Sequence, residues 1–379
     1  MRALVLALMA NGKSRIHNYL KSPDTNSMIE ALRKLGAKVA VSETTLEIQG
    51  TRAWKDARIN AGNSGQVYRF IGALAALSNT VTQITGDQSI CTNRPIQPLI
   101  DALKEGGAHV EFPPLQIQGP LKPGTFHIQG EDSQPVSALI MATAFLSGPS
   151  HIYVSNPGEK PWIELTLHWL KKFKIDVVNE NFEHFIVPGK ASIQGFETTI
   201  PGDWSTAAYP IAASLITGKE IFLQNLDSND VQGDKQIVDA LKQMGANIEN
   251  LRVKKSSLRG IKIDVNNFID ALPILAVLGC YATGKTELVN GKIARFKESD
   301  RIHAIATELK KMGANIEETE DGLIIFQSSL KGAHLHSHKD HRIAMALHVA
   351  ALGAKGKTTI DDTDCIGKSC PNFYDLIRF

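Results

Sequence analysis

Apolar residues along this chain fall into two kinds of run that alternate from one end to the other. The first kind sets them on one face of a helix, stops at a glycine and continues as an alternating strand. IEALRKLGAKVAV (29–41), IDALKEGGAHVEF (100–112), VDALKQMGANIEN (238–250) and ATELKKMGANIEE (306–318) all read this way. A glycine in that place takes the left-handed backbone that ends a helix, so each run predicts a half-exposed helix, a cap and a strand. A fifth copy, LTLHWLKKFKIDVV (165–178), carries Lys174 where the others carry Gly. The capping positions 36, 107, 174, 245 and 313 are 71, 67, 71 and 68 residues apart, so the chain is an internal repeat.

The second kind of run lies between these helices: VYRFIGALAAL (67–77), PVSALIMATAFL (135–146), AAYPIAASLI (207–216), DALPILAVLGC (270–280) and RIAMALHVAAL (342–352). These are apolar nearly all round and predict buried helices at the centre of a domain. FHIQG (126–130), HIYVSN (151–156), HFIVPG (184–189), IKIDV (261–265) and LIIFQ (323–327) are strand-like and fill the gaps. Each unit is therefore strands plus one buried and one half-exposed helix, an α/β arrangement. Five full units and a remnant follow, with FYDLIRF (373–379) as a sixth outer helix whose following strand is absent. Three plus three units predict two domains with a cleft between them, 1–228 and 229–379. ALVLALMA (3–10), after Arg2, has two readings: a short signal peptide lacking an A-x-A cleavage site, or the body of a helix whose beginning is absent.

Composition narrows the function. Of 379 residues, 43% are hydrophobic and 21% charged, and 41 Lys+Arg against 39 Asp+Glu leave a net charge of +2. That balance lacks the bulk electrostatic term of a nucleic-acid or membrane-surface binder. Four cysteines without CxxC spacing exclude a disulfide scaffold and a standard zinc module, and no apolar run reaches the length of a membrane span. A cytoplasmic, multidomain enzyme is the expectation.

Its candidate chemistry is anion binding. Thr92-Asn93-Arg94-Pro95, Ser299-Asp300-Arg301 and Asp340-His341-Arg342 each put an arginine just after a capping residue, where a cation opposes the helix dipole. One such case reads as a surface arginine; three together point to carboxylate or phosphate held by guanidinium and free N–H groups. GNSGQ (62–66) runs straight into a buried helix, and bare Gly65 admits close approach to the backbone, though a plain turn fits equally well. Asp270 heads an apolar helix, as an N-cap or as a carboxylate able to take a proton. KESDR (297–301) gathers Lys297, Glu298 and Arg301, either as acid, base and clamp or as a solvated helix start. HLHSHKDH brings His334, His336, His338 and His341 together, and strand alternation sets the first three on one face. No carboxylate or Cys at ligand spacing joins them, so no metal is expected. Cys365 and Cys370 flank Lys368 as ordinary thiols.

Together these motifs resemble the 5-enolpyruvylshikimate-3-phosphate synthase family. The resemblance rests on GNSGQVYRF (62–70), NRPIQPLIDAL (93–103), DSQPVSALIM (132–141), EKPWIELTL (159–167), QGD (232–234), IDALPI (269–274), RFKESDRI (295–302), KDHRIAMAL (339–347) and GKSCPNF (367–373). It implies the enolpyruvyl transferase fold, two domains of three βαβαββ repeats, here with the sixth incomplete. It also implies transfer of the enolpyruvyl group of phosphoenolpyruvate to the 5-hydroxyl of shikimate 3-phosphate, releasing phosphate, by a monomer with no metal or organic cofactor.

The roles it implies are specific. Asp270 accepts the proton of the sugar hydroxyl, with Glu298 as its partner in proton transfer. Gly65, Arg94, Gln134, Arg301, Arg342 and Lys368 hold phosphoenolpyruvate. Arg2, Ser133, Gln134, Trp162, Asp270 and Lys297 face shikimate 3-phosphate. The family's Lys-Ser-x-Ser-x-Arg signature begins ahead of Arg2, so its Lys and Ser are not in this sequence. The preferred reading is a start assigned too late; the other is a truncated homologue that binds shikimate 3-phosphate without turnover. Asp132 and Glu159 replace serines beside the shikimate phosphate, where carboxylates repel it unless turned away or paired, and Ile293 replaces an Asn. The nearest rival is a UDP-N-acetylglucosamine enolpyruvyl transferase, for which Cys91 is the candidate loop cysteine.

Overall fold

The repeat is built as four-stranded sheets backed by helices. The structure, a computed structural model, describes residues 1–378 and, of Asn93, the backbone only; Phe379, in the 373–379 run, lies outside the described residues. The chain divides into two compact units, Met1–Ile200 and a second from Pro201 onward. Each has its own apolar core, one drawn from residues between Ala3 and Ile193 and the other from residues between Trp204 and Ile377.

In the first unit the buried helices are α1 (Arg2–Met9), α3 (Gly72–Ala75, entered through a wide turn at Val67–Ile71) and α5 (Ser133–Thr143). The outer ones are α2 (Pro23–Lys34), α4 (Gln97–Glu105) and α6 (Lys160–Lys172). Every residue of α1 is buried, so the apolar run after Arg2 is a core helix. Strands β1 (Lys13–His17), β2 (Lys38–Val41) and β3 (Thr45–Gln49) form part of one sheet. The second holds β4 (Ala57–Asn60), β5 (Thr82–Thr85), β6 (His109–Glu111) and β7 (Leu115–Gln118). The third holds β8 (Thr125–Gln129), β9 (Ser150–Ser155), β10 (Val178–Glu180) and β11 (His184–Val187). Finally β12 (Glu197–Thr199) returns to pair parallel with β1. The three sheets share one order, β12-β1-β3-β2, β4-β5-β7-β6 and β8-β9-β11-β10, with one parallel pair and two antiparallel pairs in each. Alternating burial, as in β8, puts one face on the core and one in water.

The second unit repeats the plan. Its buried helices are α7 (Trp204–Thr217), α9 (Leu272–Tyr281) and α11 (His341–Gly353), and its outer ones α8 (Gln236–Gln243), α10 (Arg301–Lys311) and α12 (Phe373–Ile377). Strands β13 (Ile221–Phe222), β14 (Asn247–Glu249) and β15 (Arg252–Lys254) make a three-stranded sheet; β16 (Lys262–Asp264), β17 (Lys285–Val289), β18 (Asn315–Glu318) and β19 (Leu323–Phe326) make a four-stranded one. Among the described residues β20 (His334–His336) and β21 (Thr359–Asp361) stand as a parallel pair, the incomplete sixth repeat.

The cap prediction holds at Gly36, Gly107, Gly245 and Gly313, all at positive φ, and Lys174 adopts the same region at φ 59°. The expected boundary at 228 does not. Helix α7 (Trp204–Thr217) packs in the second unit's core, and the first unit is completed by β12, three residues with no apolar alternation. A helix apolar all round does not announce which core it joins, and a strand pairing with a partner far away in sequence leaves no periodic mark.

Candidate active site

In the first unit the site residues gather where α1, the 67–75 helix, α5 and α6 begin. Gly65 explains itself by contact: a Cβ there would lie 2.7 Å from Arg69 Nη1, 2.7 Å from Arg94 Nη1 and 3.1 Å from Gln134 Oε1. Any side chain at 65 would push these groups apart. Arg69 is buried, donates from Nη1 to Gln134 Oε1 at 2.9 Å and from Nη2 to the Pro95 carbonyl at 2.8 Å, and pairs with Asp132 at 2.9 Å. Burial pushes its guanidinium below the ordinary range, with Asp132 opposing the shift. Arg94 donates to Asn63 Oδ1 at 3.1 Å. It lies ahead of α4, which starts at Gln97 without a side-chain cap, so Thr92 is not the N-cap expected of it.

Asp132 is the N-cap of α5 and accepts from Gln134 N at 2.9 Å. Glu159, buried and at φ 45°, accepts from both the backbone N and the Oγ of Ser133 at 3.1 Å. Both replacement carboxylates are thus paired, and Glu159 sits on the N–H of the first residue of α5, the favoured end for an anion. Arg2 is buried, donates to Thr166 Oγ1 at 2.6 Å and to the Trp162 carbonyl at 2.7 Å, and lies over the Phe70 ring. Burial lowers its pKa to about 10.

The second unit concentrates opposite charges. Arg301, the first residue of α10, donates from Nε to Asp340 at 2.8 Å, from Nη1 to Asp270 at 2.6 Å and from Nη2 to Glu298 at 2.8 Å. Burial disfavours its charge, but Asp340, Glu298 and Asp270 outweigh that and hold it well above the ordinary value. Glu298 also accepts from Lys368 Nζ at 2.6 Å. Asp340 is the N-cap of α11, fully buried, and accepts from Arg342 N at 2.9 Å and from Ser299 Oγ at 3.0 Å. Two of the three cap-plus-arginine motifs are therefore as read, at Asp300 and Asp340.

Arg342 donates from Nη2 to Ser205 Oγ at 2.7 Å and to Asp270 at 3.1 Å. Its Nε and Nη1 are buried without a hydrogen-bond partner among the described residues. Buried guanidinium donors left unmade cost free energy, so their presence marks a place for an acceptor from outside the described residues. Asp270 is not the N-cap of α9; it lies in the 3₁₀ turn Asn266–Ala271 just before it. Burial alone would raise its pKa, yet Arg342, Arg301 and Lys297 together hold it below the usual carboxylate range.

The remaining expectations sort quickly. His336 lies on β20, but His338 has φ 54° and turns to Glu308 Oε1 at 2.9 Å, so the alternation stops before it. Cys365 and Cys370 are free thiols pushed up to about 11 by burial. Ile293 packs as a half-buried apolar residue against the second core. Reasoning from the chain alone missed Arg69 and Ser205 as site residues; a lone arginine inside the apolar run VYRFIGALAAL was the available signal for the first.

The EPSP synthase (3-phosphoshikimate 1-carboxyvinyltransferase) family matches over residues 1–377. A 3-phosphoshikimate 1-carboxyvinyltransferase of Chlamydia caviae is 44% identical, covering 100% of this chain and 88% of that protein. One of Chlamydia muridarum is 42% identical over 98% of this chain and 88% of that protein. The solved EPSP synthase of Acinetobacter baumannii superposes with a TM-score of 0.83 at 26% identity, covering 99% of this chain and 91% of that one. The chain belongs to the EPSP synthase family.

Proposed function

We propose that this protein is a transferase that moves the enolpyruvyl group of phosphoenolpyruvate onto the 5-hydroxyl of shikimate 3-phosphate, releasing inorganic phosphate. It works as a monomer in the cytoplasm, away from nucleic acid and membranes. Among the described residues no helix is long and apolar enough to cross a membrane. The observation that carries the reading is Arg342, whose Nε and Nη1 donors are buried and unmatched among the described residues. A carboxylate or phosphate oxygen is the acceptor such donors require.

Both substrates are polyanions, and the residue types answer to that. The residues assigned to phosphoenolpyruvate are Gly65, Arg94, Gln134, Arg301, Arg342 and Lys368. Arg2, Ser133, Gln134 and Trp162, with Asp270 and Lys297, face shikimate 3-phosphate. In the reaction the methylene carbon of phosphoenolpyruvate gains a proton and the hydroxyl loses one, which calls for an acid and a base.

Asp270 is the base and Glu298 its partner in proton transfer. With Arg301 and Arg342 paired to it, Asp270 is held as a weak base. An incoming anion draws part of that positive charge to itself, and the carboxylate then becomes more basic as the substrate arrives. The test is ³¹P NMR of the purified chain with both substrates. The phosphoenolpyruvate signal is replaced one-for-one by inorganic phosphate only when shikimate 3-phosphate is present. Phosphate formed equally well without it, or none formed by a folded chain, overturns the reading.

A further inference from the structure

Away from the residues above, the outer face of the β20–β21 pair gathers two imidazoles and a carboxylate. Strand β20 alternates exposed, buried, exposed, with Leu335 wholly buried beneath His334 and His336. The parallel register sets His334 opposite Thr359 and His336 opposite Asp361. Each ring is tied across the pair through Nδ1: His334 to Thr359 Oγ1 at 2.9 Å, and His336 to the Asp361 carboxylate. The other Asp361 oxygen accepts from Ser337 N at 3.2 Å, which steadies the carboxylate.

The result is convergence. One ligand-capable atom from each of His334, His336 and Asp361 lies within 4.8 Å of the other two. The ring planes are 78° apart with centroids 5.4 Å apart, so the two imidazoles approach the shared point from different directions. A metal seated among them takes the place of the proton that His336 Nδ1 shares with Asp361, with a ring nitrogen of His334 as the third donor. A surface His336–Asp361 ion pair accounts for two of these residues, but not for a second imidazole directed to the same point.

We propose that His334, His336 and Asp361 form a binding site for a divalent transition metal of the zinc class, with its remaining positions filled by water. Two nitrogens and one carboxylate oxygen suit Zn²⁺ or Ni²⁺ and are a poor set for Mg²⁺ or Ca²⁺, which take oxygen ligands. The site is structural rather than chemical. It clamps β20 to β21 in the sheet that is smallest among the described residues. These strands lead on one side into Asp340 and Arg342 and on the other into Lys368, so the clamp steadies two segments that carry anion-binding residues. The sequence alone hid this because Asp361 comes to the histidines only through parallel pairing around α11.

The test is calorimetric titration of Zn²⁺ into metal-stripped, full-length protein, repeated with Mg²⁺ and followed by thermal unfolding. One zinc binds, Mg²⁺ gives no signal, and zinc raises the melting temperature. His334→Ala, His336→Ala and Asp361→Asn each weaken zinc binding by at least about tenfold, as loss of a ligand or its support does. His338→Ala, which faces Glu308 instead, leaves it unchanged. Circular dichroism establishes that each surface variant is folded. No zinc binding by the folded wild-type chain overturns the proposal. So does binding of equal strength in the His334 and His336 variants, which would place the metal elsewhere.

Discussion

The two units carry the same supersecondary plan but treat buried charge differently. In the first, Arg2 is held by a hydroxyl and a carbonyl, and Arg69 by an amide, a carbonyl and one carboxylate. In the second, Arg301 alone meets three carboxylates, and Asp270 is shared between Arg301 and Arg342. Neutral partners leave a cation's field to act on a ligand; carboxylates cancel it until an anion competes. In the first unit Arg2 therefore keeps a standing positive charge while Asp132 offsets Arg69, and the second reads as a charge network that a substrate must reorganise. That network includes the carboxylates available for proton transfer, so binding and priming are one event there.

The largest expected effect breaks the second network at its hub. Arg301→Ala leaves Asp340, Glu298 and Asp270 without their shared cation and costs about 3–5 kcal/mol of stability, read by urea unfolding. The equivalent cut in the first unit, Arg2→Ala, removes packing and hydrogen bonds but strands no charge, and costs clearly less by the same measurement. Asp270→Asn keeps the shape of the arginine pocket and lowers kcat by about 10²–10⁴, the usual contribution of a positioned base. Substrate binding to that variant survives, because Arg301 and Arg342 remain in place.

A pH series sharpens the contrast. Burial, followed by the nearby Arg342 charge, lowers the His341 pKa to about 3 from 6.5, so the folded chain keeps this ring neutral. The unfolded chain binds a proton there below 6.5 and the folded one does not until about 3. Stability from this group is therefore complete above 6.5 and lost as pH falls between the two values, by about 1.4 kcal/mol per pH unit. Asp340 adds loss at lower pH. Burial works against its ionisation, but Arg301 prevails and depresses its pKa, so its contribution is present above its ordinary value and disappears below it. Protection factors against hydrogen exchange in α11, corrected for the intrinsic rate at each pH, should fall from pH 6 to 4 while those of α5 lag, and His341→Gln should flatten the difference.

The smallest expected effect concerns Glu159, which rests on Ser133 at the start of α5. Glu159→Gln removes a negative charge while keeping an acceptor for Ser133. It should lower KM for shikimate 3-phosphate several-fold, about 1 kcal/mol, with kcat little changed. An unchanged KM would mean that the carboxylate does not oppose the substrate phosphate.

Much of this was legible in the order of residues. The glycines that end the outer helices set the repeat, because a positive-φ stop is a local requirement that a sequence must meet locally. Arg301 and Arg342 betrayed themselves by standing where a helix start disfavours a cation. Arg69 was harder, since its role comes from Gly65, Arg94 and Gln134 converging on it from three separate segments. The boundary between units was illegible for the same reason as the Asp361 contact: both depend on parallel pairing between distant strands, β1 with β12 and β20 with β21.

The central claim is that an anion arriving at Arg301 and Arg342 both binds and primes Asp270. It is tested most directly by phosphate release with both substrates, measured side by side for the wild-type chain, Arg342→Lys and Asp270→Asn. The account predicts release by the wild type, a raised phosphoenolpyruvate KM with reduced kcat in Arg342→Lys, and a large fall in kcat without loss of phosphoenolpyruvate binding in Asp270→Asn. Wild-type rates in Asp270→Asn, or unaltered phosphoenolpyruvate saturation in Arg342→Lys, would contradict it.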